Sequence, residues 1–347
     1  MSENTYLKWL AENTDTRWCN DNGLRGDNIA ARDNGAVGCT TNPSLSFEAL
    51  TTDADRFKAR MEEIRSKFSG REKVVEYLRM FIPDIAREFL PIYESSGGKT
   101  GYVRSQVEPE LCGDAAAMLT MAKTMAGFGK NIMVKIPGTK AGIQVIEELS
   151  ALGIPTTPTV CMSVSQLVAT AQAYDRGCAR AKKAGIPVPA CTSAFIIGRL
   201  QEYLASLNTE RGNPVSIEDL ETAVLAAVKR TYRIFQKEGY SQIIMPAGFR
   251  CLSQFSELTG AAMEMTISPK LQSQISQADK NGDIKREKRI DAPVDEAVID
   301  RVSKAIPEFR KAYEPDGMSI EEFDSFGGVI NMLEAFNATG WQKMLAL

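Results

Sequence analysis

Short apolar runs recur along the chain, and longer segments of helical period separate them. Eight runs stand out: Arg17-Trp18-Cys19, Val37-Gly38-Cys39-Thr40, Tyr102 to Val107, Ile132 to Ile136, Thr157 to Cys161, Cys191 to Phe195, Ile243 to Ala247 and Met263 to Ile267. Apolar runs alternating with helical segments are the pattern of βα units and a parallel sheet. Eight such units suggest closure, so the expected fold is α/β, a (β/α)8 TIM barrel over roughly 16–270. Among the intervening helices, 141–149 sets Ile143, Ile146 and Leu149 on one face and Glu147 and Glu148 on the other. Another opens on Ser163, a residue suited to N-capping, and runs through Lys183 to stop at Gly185. A long charged helical stretch from Phe47 to Tyr93 is expected to pack outside the barrel.

Beyond the eighth run, 271–347 reads as additional C-terminal helices with a polar break from Ser276 to Asp283. Val294, Val298, Ile299, Val302 and Ile306 make one apolar stripe there. The tail should therefore fold back over the barrel, leaving 1–347 a single domain.

Composition narrows the function. Net charge is only −3, with 41 basic and 44 acidic residues, so neither nucleic acid nor an anionic membrane is an expected partner. The start, Met1-Ser2-Glu3-Asn4-Thr5, is polar and too short an approach to Tyr6–Leu10 for a signal peptide, and no window is long enough for a membrane span. Seven cysteines are scattered singly and never form a CxxC pair, which reads as reduced thiols in the cytoplasm. Histidine is absent altogether, which excludes serine–histidine triads, cysteine–histidine pairs and histidine-ligated metals. Catalysis must rest on Lys, Asp, Glu, Tyr, Ser, Thr or Cys.

Lys135 is the sharpest candidate. It is a lone cation inside Ile132-Met133-Val134-Lys135-Ile136, where alternation sets it on one face with Met133. Burial there would lower its pKa and leave a neutral amine able to condense with a ketone; a snorkelling lysine at a strand end fits the spacing as well. Its place near the C-terminal end of the strand, before Pro137-Gly138-Thr139, favours the active role, because barrel active sites lie on that face. Asp21, in Asn20-Asp21-Asn22-Gly23, sits just past the first strand and reaches the same rim, although an aspartate before Asn-Gly also serves a turn. Asn42, in Thr40-Thr41-Asn42-Pro43-Ser44, divides between a site role and a helix cap. Arg199 and Arg250 each closely follow a strand; together they could hold a phosphate, or each could serve a surface ion pair. Gly97-Gly98-Lys99-Thr100 looks like half a phosphate loop but lacks the earlier glycine and the following helix, so a plain turn is expected. Asp279 to Asp283 begins like a calcium loop but has Ile284 and Ile290 where glycine and glutamate are required, so a solvated turn is expected.

Taken together, these segments resemble the transaldolase and fructose-6-phosphate aldolase family from about Thr16 to Leu271. Thr40-Thr41-Asn42-Pro43-Ser44 resembles its TTNPS signature, and Val134 to Thr139 its lysine strand. Gly153 to Thr159 is similar to the segment after the lysine helix, and Ser193 to Arg199 to its sixth strand. The resemblance implies Lys135 as Schiff-base former, Asp21 as acid/base for the C4 hydroxyl and Asn42 as a ligand of substrate hydroxyls. It also implies Thr159 as holder of the catalytic water, Arg199 and Arg250 as phosphate binders, and Ser193 and Phe195 as substrate contacts.

No cofactor or metal is implied; the partners would be sugar phosphates, and the chain length resembles that of dimeric members. There are departures. Gln106 replaces the transaldolase glutamate and resembles the aldolases, and it can orient a water but not take its proton. Phe195 resembles the transaldolase residue where the aldolases carry tyrosine. One extra residue lies between Ser193 and Arg199, and Gly248 stands where a phosphate-binding serine is expected. The expected activity is transfer of a dihydroxyacetone unit between ketose and aldose phosphates. Simple aldol cleavage, action on a ketose with another anionic tail, and a sugar-phosphate binding protein without catalysis are the alternatives.

Overall fold

A computed structural model describes residues 4–347, so Met1-Ser2-Glu3 of the polar start lies outside the described residues. Each of the eight apolar runs overlaps a strand: β1 Arg17–Asp21, β2 Cys39–Thr40, β3 Val103–Gln106, β4 Ile132–Pro137, β5 Thr156–Thr159, β6 Thr192–Ile196, β7 Ile243–Ala247 and β8 Glu264–Ile267. Six form one parallel sheet in the order β5-β4-β3-β2-β1-β8, and β6 pairs with β7, again in parallel. Isolated parallel bridges join the two sheets, Thr156 with Cys191 and Cys161 with Phe195, while β7 packs beside β8.

Every strand-to-strand connection carries at least one helix, as parallel neighbours require. Ser163 caps Val164–Lys183 by accepting from the Gln166 amide at 3.2 Å, and Gly185 follows at φ +72°. The charged stretch after β2 is three helices, Pro43–Thr52, Ala54–Lys67 and Gly70–Ser95; the last buries Tyr77, Phe81, Ile85 and Phe89 on one face.

Two expectations are corrected in the tail. Ser276 to Asn281 is not a break, because the helix Pro269–Asn281 runs through it, burying Ile275 and Ala278, and ends at Gly282 with φ +76°. For the same reason Asp279 lies in that helix rather than in a turn, and its carboxylate takes Arg286 at 2.7 Å. Gly97 and Gly98 form the expected turn, at φ +62° and +76°.

The chain end folds back over the strand ends. Gly327–Phe336 brings Met332 and Phe336 above them, and a π turn, Asn337–Trp341, follows. A Cβ at Gly340 would collide with the backbone of Pro43 and Ser44, so only glycine lets this turn lie against the helix that follows β2. The Ser44 and Thr339 hydroxyls meet there at 2.6 Å.

Candidate active site

Alternation along each strand decides which side chains meet. On β3, Arg104 and Gln106 point inward; on β4, Met133 and Lys135; on β5, Thr157 and Thr159; on β6, Thr192, Ala194 and Ile196. The contacts agree: Arg104 donates to Thr192 at 3.2 Å, Thr157 and Thr192 hydroxyls meet at 3.1 Å, and Thr192 reaches the Met133 sulfur at 3.5 Å. Beneath the site, Arg104 makes a fully buried ion pair with Glu264 of β8, and Cys19 of β1 donates to the same carboxylate at 3.0 Å.

Above this floor is a cavity of about 150 Å³ at the C-terminal ends of the strands, where Asp21, Asn42, Lys135, Arg199 and Arg250 converge. A larger groove of about 660 Å³ lies on the outer surface, with Phe68, Val75 and Met121 in its lining, but its charged residues reach solvent and it holds no buried nucleophile.

Lys135 is 7% exposed and donates to the Thr41 carbonyl oxygen at 2.9 Å. Burial pulls its pKa from 10.5 to about 8, the nearby Asp21 carboxylate opposes that, and Arg104 adds to it. Asp21 is not past the first strand but its last residue, and burial pushes its carboxyl pKa upward while Lys135 and the Thr40 hydroxyl pull it down. Thr40 donates to Asp21 at 2.6 Å, which leaves Thr266 of β8 to donate to Thr40 at 2.5 Å. This relay fixes the carboxylate from two neighbouring strands.

Asn42 caps Pro43–Thr52, its side chain accepting from the Leu45 amide at 3.0 Å, and it also lines the cavity. Gln106 pairs in register with Lys135 across β3 and β4. Both ends of its amide are buried without a protein partner, as is the Thr159 hydroxyl at the end of β5. Buried orphans of this kind are found where a water or ligand completes the site. Thr159 is followed by Val160 at φ +58°, a strained geometry for a β-branched residue, in a turn that Gln166 ties to Gly138 at 2.9 Å.

Two expected contacts are not brought to the site. Ser193 points away from the cavity and meets Thr170 of the outer helix Val164–Lys183 at 3.1 Å, and Phe195, fully buried, lies on that same outer face of β6. The cavity-facing positions are instead Ala194 and Ile196.

Arg199 and Arg250 do lie together at the rim, and Glu202 lies between them. Arg250 also donates to the Gly248 carbonyl oxygen at 2.8 Å. Sequence reasoning missed Thr266, Arg104, Glu202, Met332 and Phe336. A signal existed only for Glu202, three residues beyond Arg199 at the start of a helix.

Among the described residues no cluster of three or more Cys, Asp or Glu could hold a metal ion, and no helix is long and apolar enough to cross a membrane. All seven cysteines are free thiols.

A family model described as Transaldolase/Fructose-6-phosphate aldolase matches residues 21–316. Similar proteins include Transaldolase 1 of Streptomyces avermitilis, 28% identical over 206 residues, covering 58% of this chain and 54% of that one. Transaldolase of Thiobacillus denitrificans is 27% identical over 210 residues, covering 58% of each. Transaldolase of Neisseria gonorrhoeae is 32% identical over 184 residues, covering 51% of this chain and 52% of that one. The matched part of the chain thus spans little more than half the length of these relatives.

Proposed function

Because the chain belongs to the transaldolase/fructose-6-phosphate aldolase family, we propose that it moves a dihydroxyacetone unit between ketose and aldose phosphates through a Schiff base on Lys135. One observation carries this: an amine enclosed by strand ends, its pKa lowered to about 8, in the same cavity as Asp21 and Asn42. We read the eight strands as one closed (β/α)8 barrel in a single domain over 1–347, an arrangement supported by side chains of β1, β3, β6 and β8 meeting in the interior.

The neutral Lys135 amine attacks the C2 carbonyl of the ketose, and the carbinolamine takes up one proton and loses water to form an iminium. Asp21 takes the proton of the C4 hydroxyl, the C3–C4 bond breaks, and its electron pair passes into the iminium to form an enamine as the aldose leaves. Attack of the enamine carbon on a second aldehyde, with return of the proton from Asp21, makes the new bond. Water then hydrolyses the iminium and frees Lys135. An acid that must take and return one proton is served by a raised pKa, which is the direction in which burial moves Asp21. The orphaned Gln106 amide and Thr159 hydroxyl suit the water of the dehydration and hydrolysis steps, and Asn42 suits a substrate hydroxyl. Arg199 and Arg250 would take the phosphate.

A second reading, simple aldol cleavage releasing dihydroxyacetone, is favoured by Gln106 and by the turning of Phe195 away from the cavity. Fructose 6-phosphate assayed with and without erythrose 4-phosphate separates the two. Product only with the acceptor is expected; cleavage without it overturns the transferase reading.

A further inference from the structure

The arginine pair at the cavity rim already holds an anion of the protein's own. Glu202, on the helix Ile197–Glu210, sets Oε2 at 3.0 Å from Arg199 Nη1 and Oε1 at 2.7 Å from Arg250 Nε, one oxygen for each guanidinium. Arg250 is fixed from three further directions. Its Nη1 donates to the Gly248 carbonyl oxygen at 2.8 Å and its backbone N–H to Gln254 Oε1 at 2.8 Å. Its Cζ also lies over Gly198, where an added Cβ would approach to 2.7 Å. Gly248, at φ +70°, contributes no hydroxyl to this rim.

The three ionic side chains differ little in exposure, at 39% for Arg199, 37% for Arg250 and 47% for Glu202. Water therefore screens these pairs, and pairs of this kind are weak enough to exchange partners. A phosphate monoester brings about two negative charges and three acceptor oxygens to the two guanidinium forks that Glu202 meets with one charge and two oxygens.

We propose that Glu202 is an internal competitor for the anion seat: a substrate's phosphate binds Arg199 and Arg250 only by displacing the Glu202 carboxylate. Glu202 thereby sets the preference between phosphorylated and unphosphorylated ketoses. The displaced carboxylate has solvent beside it, so the exchange needs only side-chain rotation. Its residual charge beside the bound phosphate weakens the complex further. This rests on the reading of Lys135 as the Schiff-base former, since the competitor matters only for a ketose held at that amine.

The test is borohydride trapping, read by intact mass, with fructose 6-phosphate and with dihydroxyacetone, on the native chain and on Glu202→Gln. The glutamine keeps the acceptor oxygen that helps orient Arg250 and removes the charge. In the variant, the concentration of fructose 6-phosphate giving half-maximal labelling is expected to fall about three- to tenfold. That for dihydroxyacetone, which has no anionic tail, is expected to stay the same. A value for fructose 6-phosphate that is unchanged or higher overturns the proposal, because Glu202 would then be a neutral or ordering partner of the arginines. An equal fall for both ketoses overturns it too, since the effect would not be on the tail. Absence of an adduct with either ketose, in either protein, defeats the Lys135 reading itself and is distinguishable from both.

Discussion

At the scale of the residue, Lys135 combines burial with one hydrogen bond to a carbonyl oxygen and one nearby carboxylate. Its pKa near 8 in the fold, against 10.5 when unburied, leaves about a tenth of the amine neutral at pH 7. The kcat/KM for a ketose should therefore rise close to tenfold per pH unit below about 8 and level off above it; a profile flat from pH 6 to 9 would mean that this amine is not the nucleophile. The stability sign follows from the same shift. Between about 8 and 10.5 the unfolded chain holds a proton that the native state has released, so stability rises with pH across that window. Below it, the native state carries a buried charge at a cost of roughly 3 kcal/mol. Lys135→Met should thus abolish borohydride labelling and turnover, yet stabilise the fold at neutral pH by about 1–3 kcal/mol after loss of the Thr41 hydrogen bond. Urea unfolding at pH 7 measures this, and a less stable variant would argue for a structural lysine.

At the scale of the element, strand β6 shows how one residue of parity decides chemistry. The run Thr192–Ile196 was legible as a strand from its apolar character, but its inward face depends on register with β7 and on the bridge from Cys161 to Phe195. The resemblance to the family's sixth strand implies Phe195 as a substrate contact, whereas the register sets Ala194 and Ile196 at the cavity. Phe195→Leu should consequently cost about 1 kcal/mol of stability and leave KM and kcat within about twofold, because it alters only packing against the outer layer. Ile196→Ala should change KM for the ketose severalfold. If the kinetic effects of the two variants were reversed, the register would be wrong. The polar segment from Ser276 to Asn281 teaches the same lesson. Its composition suggests a break, but a helix needs only one apolar stripe, and Leu271, Ile275 and Ala278 supply it.

At the scale of the whole molecule, the interior beneath the cavity is polar as well as apolar. Arg104 of β3 reaches Glu264 of β8, Thr192 of β6 and the Cys19 sulfur of β1, and so links strands distant in sequence. Both ionic partners are almost wholly buried. Arg104→Met should destabilise by about 3–5 kcal/mol, because it strands the Glu264 carboxylate, and adding Glu264→Leu should recover most of that loss. Denaturant unfolding of the single and double variants measures this; a single variant as stable as the native chain would show that the pair is not coupled. The pair itself is not legible in the sequence, since which charge lies opposite Arg104 across the interior depends on how the strands are brought together.

The order of strands, the helices between them, the lone lysine and the absence of histidine are local or compositional properties, and the sequence alone determined them. Strand and helix follow from hydrophobic period, and a missing residue type excludes its chemistry wherever the chain goes. Asp21, Asn42, Lys135, Arg199 and Arg250 were legible as site residues, but the rest of the cavity and its supports were decided only by tertiary structure. The inward turn of Ala194 and Ile196, the relay from Thr266 through Thr40 to Asp21, the Glu202 bridge and the cover of Met332 and Phe336 all depend on register and on contacts between segments far apart in sequence. Period tells that a face exists; only packing against a neighbour decides which way it points.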